Sequence, residues 1–290
     1  MPNESLQPNP FAGRGGLAAF RLEHASGSRA EVYLHGAHVT SFVSPAGDEM
    51  LFVSERSSFE DGTAIRGGVP VIFPQFADEG PLPKHGFART MTWSPNAQGV
   101  RGGRVPYVSL MLEDDDRTRE LWPHSFVAHV TVSLDESLTI SLDVLNRGRL
   151  PMPFTAALHT YLRVTDVEQA SVLGLAGARL RDKVAGGAEQ LQEAGSLDIR
   201  GETDRIYLGA RPVLRVRDRA GARAIEVHAE GFPDAVIWNP GPDLASRLLD
   251  LGGVAWRQML CVEAASIGAP VTLGAGERWR GQQTLVPVAG

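Results

Sequence analysis

The sequence predicts an all-β protein with only a few short helices. Three observations carry this. Apolar residues alternate with period two along much of the chain, helix-length patterns are scarce, and Gly (32) and Pro (19) are spread throughout as turn punctuation. The clearest case starts at Phe126, where Phe126, Ala128, Val130, Val132 and Leu134 are apolar and Ser125, His129, Thr131 and Ser133 mostly separate them. After Asp135-Glu136-Ser137 the pattern resumes with Leu138, Ile140, Leu142 and Val144, so a hairpin with one buried face is expected.

Other segments follow the same logic. Residues 1–14 read as a loose leader, and 15–290 as one sandwich or barrel domain with no linker or repeat. Strand-like runs span Ala30 to Val43, Val213 to Val216, Ile225 to Val227 and Val271 to Leu273. Arg117 to Leu121 allows one helical turn, stopped near Pro123, and Asp243 to Leu251 allows two, ended by Gly252-Gly253. The acidic run Glu113 to Asp116 reads as a solvated loop tip.

Bulk properties exclude several functions. A 290-residue chain with formal net charge −6 repels nucleic acid and anionic membranes, so neither is an expected partner. No run reaches the ~18–20 apolar residues of a membrane-spanning helix. The one cysteine, Cys261, rules out an intrachain disulfide and a thiolate metal cluster. With no secretion signal at the start, the expected location is the cytoplasm, and Asn3-Glu4-Ser5 is a chance sequon. No phosphate loop, dinucleotide fingerprint, nucleophile elbow or zinc helix is present, and Gly13, Gly15 and Gly16 sit in the leader. His35 and His38, like His124 and His129, have spacings that point to opposite faces of a strand, so no metal is expected at either pair.

Segments that combine turn residues with ionisable ones are the candidates for a site. They are Ile65 to Phe76, which carries Arg66 and Gln75; Lys84 to Arg89, which carries His85; Ala157 to Leu162, around His159; Glu202 to Arg205, with Asp204; and Leu260 to Ala264, with Glu263. Each has a bland alternative: surface arginines, a core histidine satisfied by a carbonyl, a turn. Glu263 is hardest to dismiss, because an ionised glutamate in an apolar run needs a partner. Phe73, Phe76, Phe87 and Trp238 fit a pocket lining or a core equally well. The residues alone mark an active site without naming a reaction.

These segments resemble the aldose 1-epimerase superfamily, in its hexose-6-phosphate mutarotase branch. The matching stretches, in family order, are Gly36 to Ser41, Ile65 to Phe76, His85 to Arg89, Ala157 to Tyr161, Asp182-Lys183, Thr203 to Tyr207, Val236 to Pro240, Cys261 to Glu263 and Gly276 to Gln283. The resemblance implies a galactose mutarotase-like antiparallel β-supersandwich that needs no cofactor and no metal. It implies His159 as acid and Glu263 as base, with Arg66, Gln75, His85, Arg89, Asp204 and Trp238 on the substrate. Lys84 stands where the family often has glutamine, and a cation there suits a phosphate. The implied reaction interconverts the α and β anomers of a sugar phosphate, glucose 6-phosphate foremost, in a monomer or weak homodimer. The alternatives are an aldose 1-epimerase for unphosphorylated sugar, an enzyme of another sugar phosphate or oligosaccharide, and a non-catalytic carbohydrate-binding module, whose mark would be a missing acid or base.

Overall fold

The computed structural model describes residues 6–290. Four strands, β1 (Asn9–Ala12), β2 (Ala18–Glu23), β3 (Arg29–Tyr33) and β4 (Val39–Val43), form a small sheet in chain order. The chain continues through β5 (Val71–Ile72), β6 (Ser94–Arg101), β7 (Val105–Glu113), helix α1 (Asp116–Leu121), β8 (Phe126–Leu134), β9 (Leu138–Asn146), β10 (Met152–Leu158) and β11 (Tyr161–Arg163). Next come β12 (Ala170–Leu173), β13 (Arg179–Asp182), β14 (Glu189–Leu191), β15 (Leu197–Asp198), β16 (Thr203–Leu208), β17 (Val213–Asp218), β18 (Arg223–Glu230) and β19 (Asp234–Asn239). Helix α2 (Gly241–Arg247), β20 (Met259–Leu273) and β21 (Arg278–Ala289) complete the fold.

Two large antiparallel sheets face each other. One runs β14-β13-β16-β19-β20-β10-β5, with β11 also paired to β20; the other runs β15-β12-β17-β18-β21-β9-β8-β7-β6. Their facing side chains share one core, including Val130 and Leu142 from the second sheet and Phe154, Leu162, Leu260 and Val262 from the first. Burying each such side chain stabilises by about 1.5–3 kcal/mol. The predicted hairpin is β8–β9: all five alternating residues from Phe126 to Leu134 are buried, and Leu134 pairs with Leu138 across the turn. Asp135 Oδ1 accepts from the Ser137 amide at 2.7 Å, which closes that turn.

Strand β20 explains the apolar run around Glu263. Every residue from Met259 to Ile267 is buried, because the strand is central and covered on both faces. Leu260, Val262 and Ala264 point to the shared core. Ala265 and Ile267 join a second, smaller cluster with Ile72, Phe76, Ala157, Ile206 and Val236 on the outer face.

Several expectations are corrected. Within the supposed leader, residues 9–12 pair with β2 and Phe11 packs edge-on to Tyr33 at 6.5 Å; Asn9 and Pro10 hide the strand pattern in the sequence. The sequon at residues 3–5 lies outside the described residues. The run from Ala30 to Val43 is two strands joined by a tight turn at residues 34–38, where Gly36 (φ 69°) and Ala37 (φ 47°) are left-handed. Asp114 and Asp115 are not a solvated tip. Asp114 accepts from the Phe126 amide at 2.8 Å, and Asp115 caps α1 through the Thr118 amide at 2.8 Å. Helix α2 starts two residues earlier than expected and ends at Arg247.

Candidate active site

Cross-strand register assembles the site on the outer face of the β20 sheet. Directly paired residues share a face. Asp204 pairs with Trp238, Trp238 with Cys261 and Cys261 with Tyr161; two residues along the same strands, Val236 pairs with Glu263. Ala157 pairs with Ala265, and period two carries that face to His159, just beyond β10. Four separate segments thus converge on one surface.

Loops complete the walls. Residues 65–76, which include the edge strand β5, and 77–89 supply Arg66, Phe76, Lys84, His85 and Arg89 to the walls, and two glycines let these segments pack closely on the backbone beside them. A Cβ on Gly68 (φ 60°) would lie 2.2 Å from the Val39 carbonyl, and one on Gly86 (φ 69°) 2.2 Å from the Phe73 carbonyl. The result is a cavity of about 360 Å³, within the range of small-molecule sites. Leu244 and Leu248, from α2 and the turn after it, form an apolar side; Phe76 and Trp238 form another. Phe73 and Phe87 belong to the core instead.

The catalytic candidates touch. His159 Nε2 is 3.3 Å from Glu263 Oε1, and both side chains are almost wholly buried. The imidazole stacks on the Tyr161 ring at 4.8 Å with an 11° tilt, which fixes its plane. His159 Nδ1 and Glu263 Oε2 have no hydrogen-bond partner among the described residues. Burial pushes the His159 pKa well below the usual imidazole range, and His85, Arg89 and Arg66 push the same way. Burial raises the Glu263 carboxyl well above its usual range; Asp204 adds to this and Lys183 opposes it.

His85 has a defined tautomer. Its Nδ1 accepts from the Ala77 amide at 3.2 Å, and burial, with Arg89 and Lys84, pushes its pKa down to about 3. A neutral ring whose Nδ1 accepts carries its proton on Nε2, so His85 is a hydrogen-bond donor. Its ring lies 5.6 Å from that of His159.

Four cations, Arg66, Lys84, Arg89 and Lys183, line the cavity against two carboxylates, Asp204 and Glu263. Arg66 Nε donates to Asp250 at 3.0 Å and Nη1 to the Tyr161 hydroxyl at 3.0 Å. Arg89 Nη2 donates to the Lys84 carbonyl at 2.9 Å, while its buried Nε has no partner, and Arg89 makes no ion pair among the described residues. Burial is the largest effect lowering the Arg89 pKa; Tyr161 and Asp250 oppose it and Arg66 adds to it, with no ion-pair partner in contact. Burial raises the Asp204 carboxyl, and Lys183 and Lys84 oppose that rise.

Of the residues singled out in the sequence, His159, Glu263, Arg66, Lys84, His85, Arg89, Asp204 and Trp238 all line this cavity. Gln75 does not. Its amide ties the loop from Ala77 to Leu82: Nε2 donates to both their carbonyls, and Oε1 accepts from the Leu82 amide at 2.9 Å. Gln75 shapes the wall rather than facing the cavity. Tyr161 and Lys183 lie in stretches that mark the resemblance, yet nothing local signalled their place in the site. His35 and His38 bond backbone carbonyls of Thr63 and Gly67, each at 2.7 Å, and no metal-ligand cluster occurs among the described residues.

The aldose 1-epimerase family model matches residues 18–285. The chain belongs to the aldose 1-epimerase family. A relative from Cenchrus ciliaris, provisionally named glucose-6-phosphate 1-epimerase, is 36% identical over 97% of this chain and 89% of its own length. One of the same provisional name from Escherichia coli K12 is 35% identical over 82% and 79%. The solved structure of a provisionally named mutarotase from Salmonella typhimurium is 30% identical, with TM-score 0.87 over 94% of this chain and 91% of that one. The family is the one whose motifs the sequence carries, and the antiparallel supersandwich expected from them is the fold observed. The protein is an isomerase of the sugar-epimerase type.

Proposed function

We propose that the protein interconverts the α and β anomers of a hexose 6-phosphate, with glucose 6-phosphate the leading candidate. One observation carries the reading: a buried acid–base pair in contact at 3.3 Å, with Arg66 and Arg89 on the imidazole side. In a pyranose, O1 and O5 share C1, so a base and an acid side by side reach both oxygens. C5, which bears C6 and its phosphate, adjoins O5. An acid at O5 therefore has the phosphate on its own side. Arg66 reaches that side through Tyr161, on which His159 stacks, and Arg89, whose buried Nε has no partner and which makes no ion pair among the described residues, gains from a dianion.

The proton steps follow. Glu263 removes the O1 proton as C1=O1 forms. The C1–O5 electron pair goes to O5, which takes the proton of His159. The free aldehyde turns about C1–C2, and O5 attacks the other face of C1. His159 then recovers its proton and Glu263 returns one to O1. Burial favours the neutral form of both groups, and neutral is the state each reaches after its transfer. Burial thus favours the ring-opened state over the ion pair from which the transfer starts; the free pair rests neutral for the same reason, so part of the substrate's binding energy goes into setting up the ion pair. His85 Nε2–H supplies a further donor to the sugar, and Asp204 an acceptor for its hydroxyls.

The same reading makes the protein cytoplasmic, since its substrate would be an intracellular metabolite. No helix among the described residues is long and apolar enough to cross a membrane. Anomer exchange by saturation-transfer NMR tests the function, with glucose 6-phosphate and glucose as paired substrates. Exchange of the phosphorylated sugar that vanishes in His159→Asn and Glu263→Gln supports it. Equal kcat/KM for free glucose would favour a plain aldose mutarotase, and near-wild-type exchange in either variant would remove the acid–base assignment.

A further inference from the structure

We propose that Gln283, on the opposite sheet, is a positioning residue that holds His159 and Glu263 in register for the reaction. On β21 the inward positions are Gly281, Gln283 and Leu285, where packing alone calls for an apolar side chain. Gln283 is fully buried there. Its amide crosses the core to the β20 sheet and bonds two backbone segments at once. Oε1 accepts from the Thr160 hydroxyl, and Nε2 donates to the Val262 carbonyl at 3.4 Å. Thr160 follows His159, and Val262 precedes Glu263. The two segments also bond directly, the Val262 amide donating to the Thr160 carbonyl at 3.0 Å.

The bracket acts where regular pairing lapses. Strand β10 ends at Leu158 and β11 starts at Tyr161, so His159 and Thr160 lie in a break between strands. His159 holds its place through its amide to the Pro70 carbonyl at 3.0 Å and through the bonds of its neighbour. A buried amide costs free energy unless bonded, and this one is bonded only to the flanks of the acid and the base. A shift of about 1 Å at reacting groups costs about 10²-fold in rate.

This inference rests on the acid–base reading of His159 and Glu263, and the experiment separates the two. Anomer exchange and thermal stability are measured for wild type, Gln283→Met, Thr160→Val, Thr160→Ser and the Thr160→Val/Gln283→Met double variant. The double variant faces two apolar side chains and leaves no amide oxygen without its donor, so stability recovers relative to Thr160→Val. A positioning role predicts that its kcat stays down about tenfold or more while KM stays within about twofold. Recovery of kcat along with stability would show a purely structural role and overturn the proposal. Thr160→Ser keeps the hydroxyl and is expected to keep kcat within about twofold of wild type. A loss as deep as that of Thr160→Val would also overturn it, and this comparison decides the matter if the methionine variants fail to fold. A wild-type protein without exchange on any hexose phosphate would sink the acid–base reading, and this inference with it.

Discussion

Replacing Glu263 with glutamine is expected to abolish anomer exchange and yet stabilise the protein, by an amount that grows with pH. The folded carboxyl titrates well above its ordinary value of 4.5, chiefly because it is buried. Above that value the unfolded chain releases a proton that the folded chain keeps. The folded state then binds more protons, so stability falls as pH rises, by up to about 1.4 kcal/mol per pH unit, until the folded carboxyl ionises. Glutamine has the same shape and no such term. Lys183 opposes the shift, and Asp204 reinforces it. Urea unfolding of both proteins at a series of pH values from about 5 to 8 measures the difference. The expected result is a variant whose advantage widens steadily with pH. A difference that is flat across that range would mean the folded carboxyl titrates normally, and the burial argument for the base would be refuted.

Three further outcomes are expected. Because the His159 pKa is pushed down and that of Glu263 up, the pair holds one proton across a wide interval, and kcat/KM stays flat through neutrality; a pH–rate profile that falls as pH passes about 6.5, the free imidazole value, would contradict this. Arg89→Ala is expected to raise KM for glucose 6-phosphate by about tenfold or more, as loss of a charge-assisted bond of about 1.5–3 kcal/mol implies, with a much smaller effect on free glucose; steady-state comparison of the two sugars checks it. Leu142→Ala, in the shared core and not among the residues lining the cavity, is expected to destabilise by about 2–5 kcal/mol while leaving kcat of the folded protein unchanged; denaturant midpoints and kcat together check both parts.

The strands that were easiest to read are those with one wet face. In β8 and β9 alternation survives because the outward residues remain polar. In β20 both faces are covered, alternation disappears, and the sequence shows only an apolar run with one carboxylate in it. That oddity is what made Glu263 legible. The leader was misread because β1 is an edge strand containing Pro10, whose pattern is too short to register. The resemblance puts Gln75 on the substrate because it lies in a stretch that matches the family, and only the hydrogen bonds of its amide reveal its structural task in the cavity wall. Lys183 and Tyr161 reach the cavity through pairing between distant strands, which no local spacing encodes.

The burial on which the proposed acid–base roles of His159 and Glu263 rest also makes the pair costly. Glu263 could satisfy its strand position more stably as an uncharged residue, and Arg89 holds its charge without an ion-pair partner among the described residues. Both costs fall on groups facing one cavity, while the core behind them follows the ordinary rules of apolar packing. A substrate with a phosphate on the O5 side and a hemiacetal between acid and base offsets the two costs together. Loss of phosphate recognition should therefore appear as weaker binding and loss of Glu263 as lost chemistry, two defects that kinetics can tell apart.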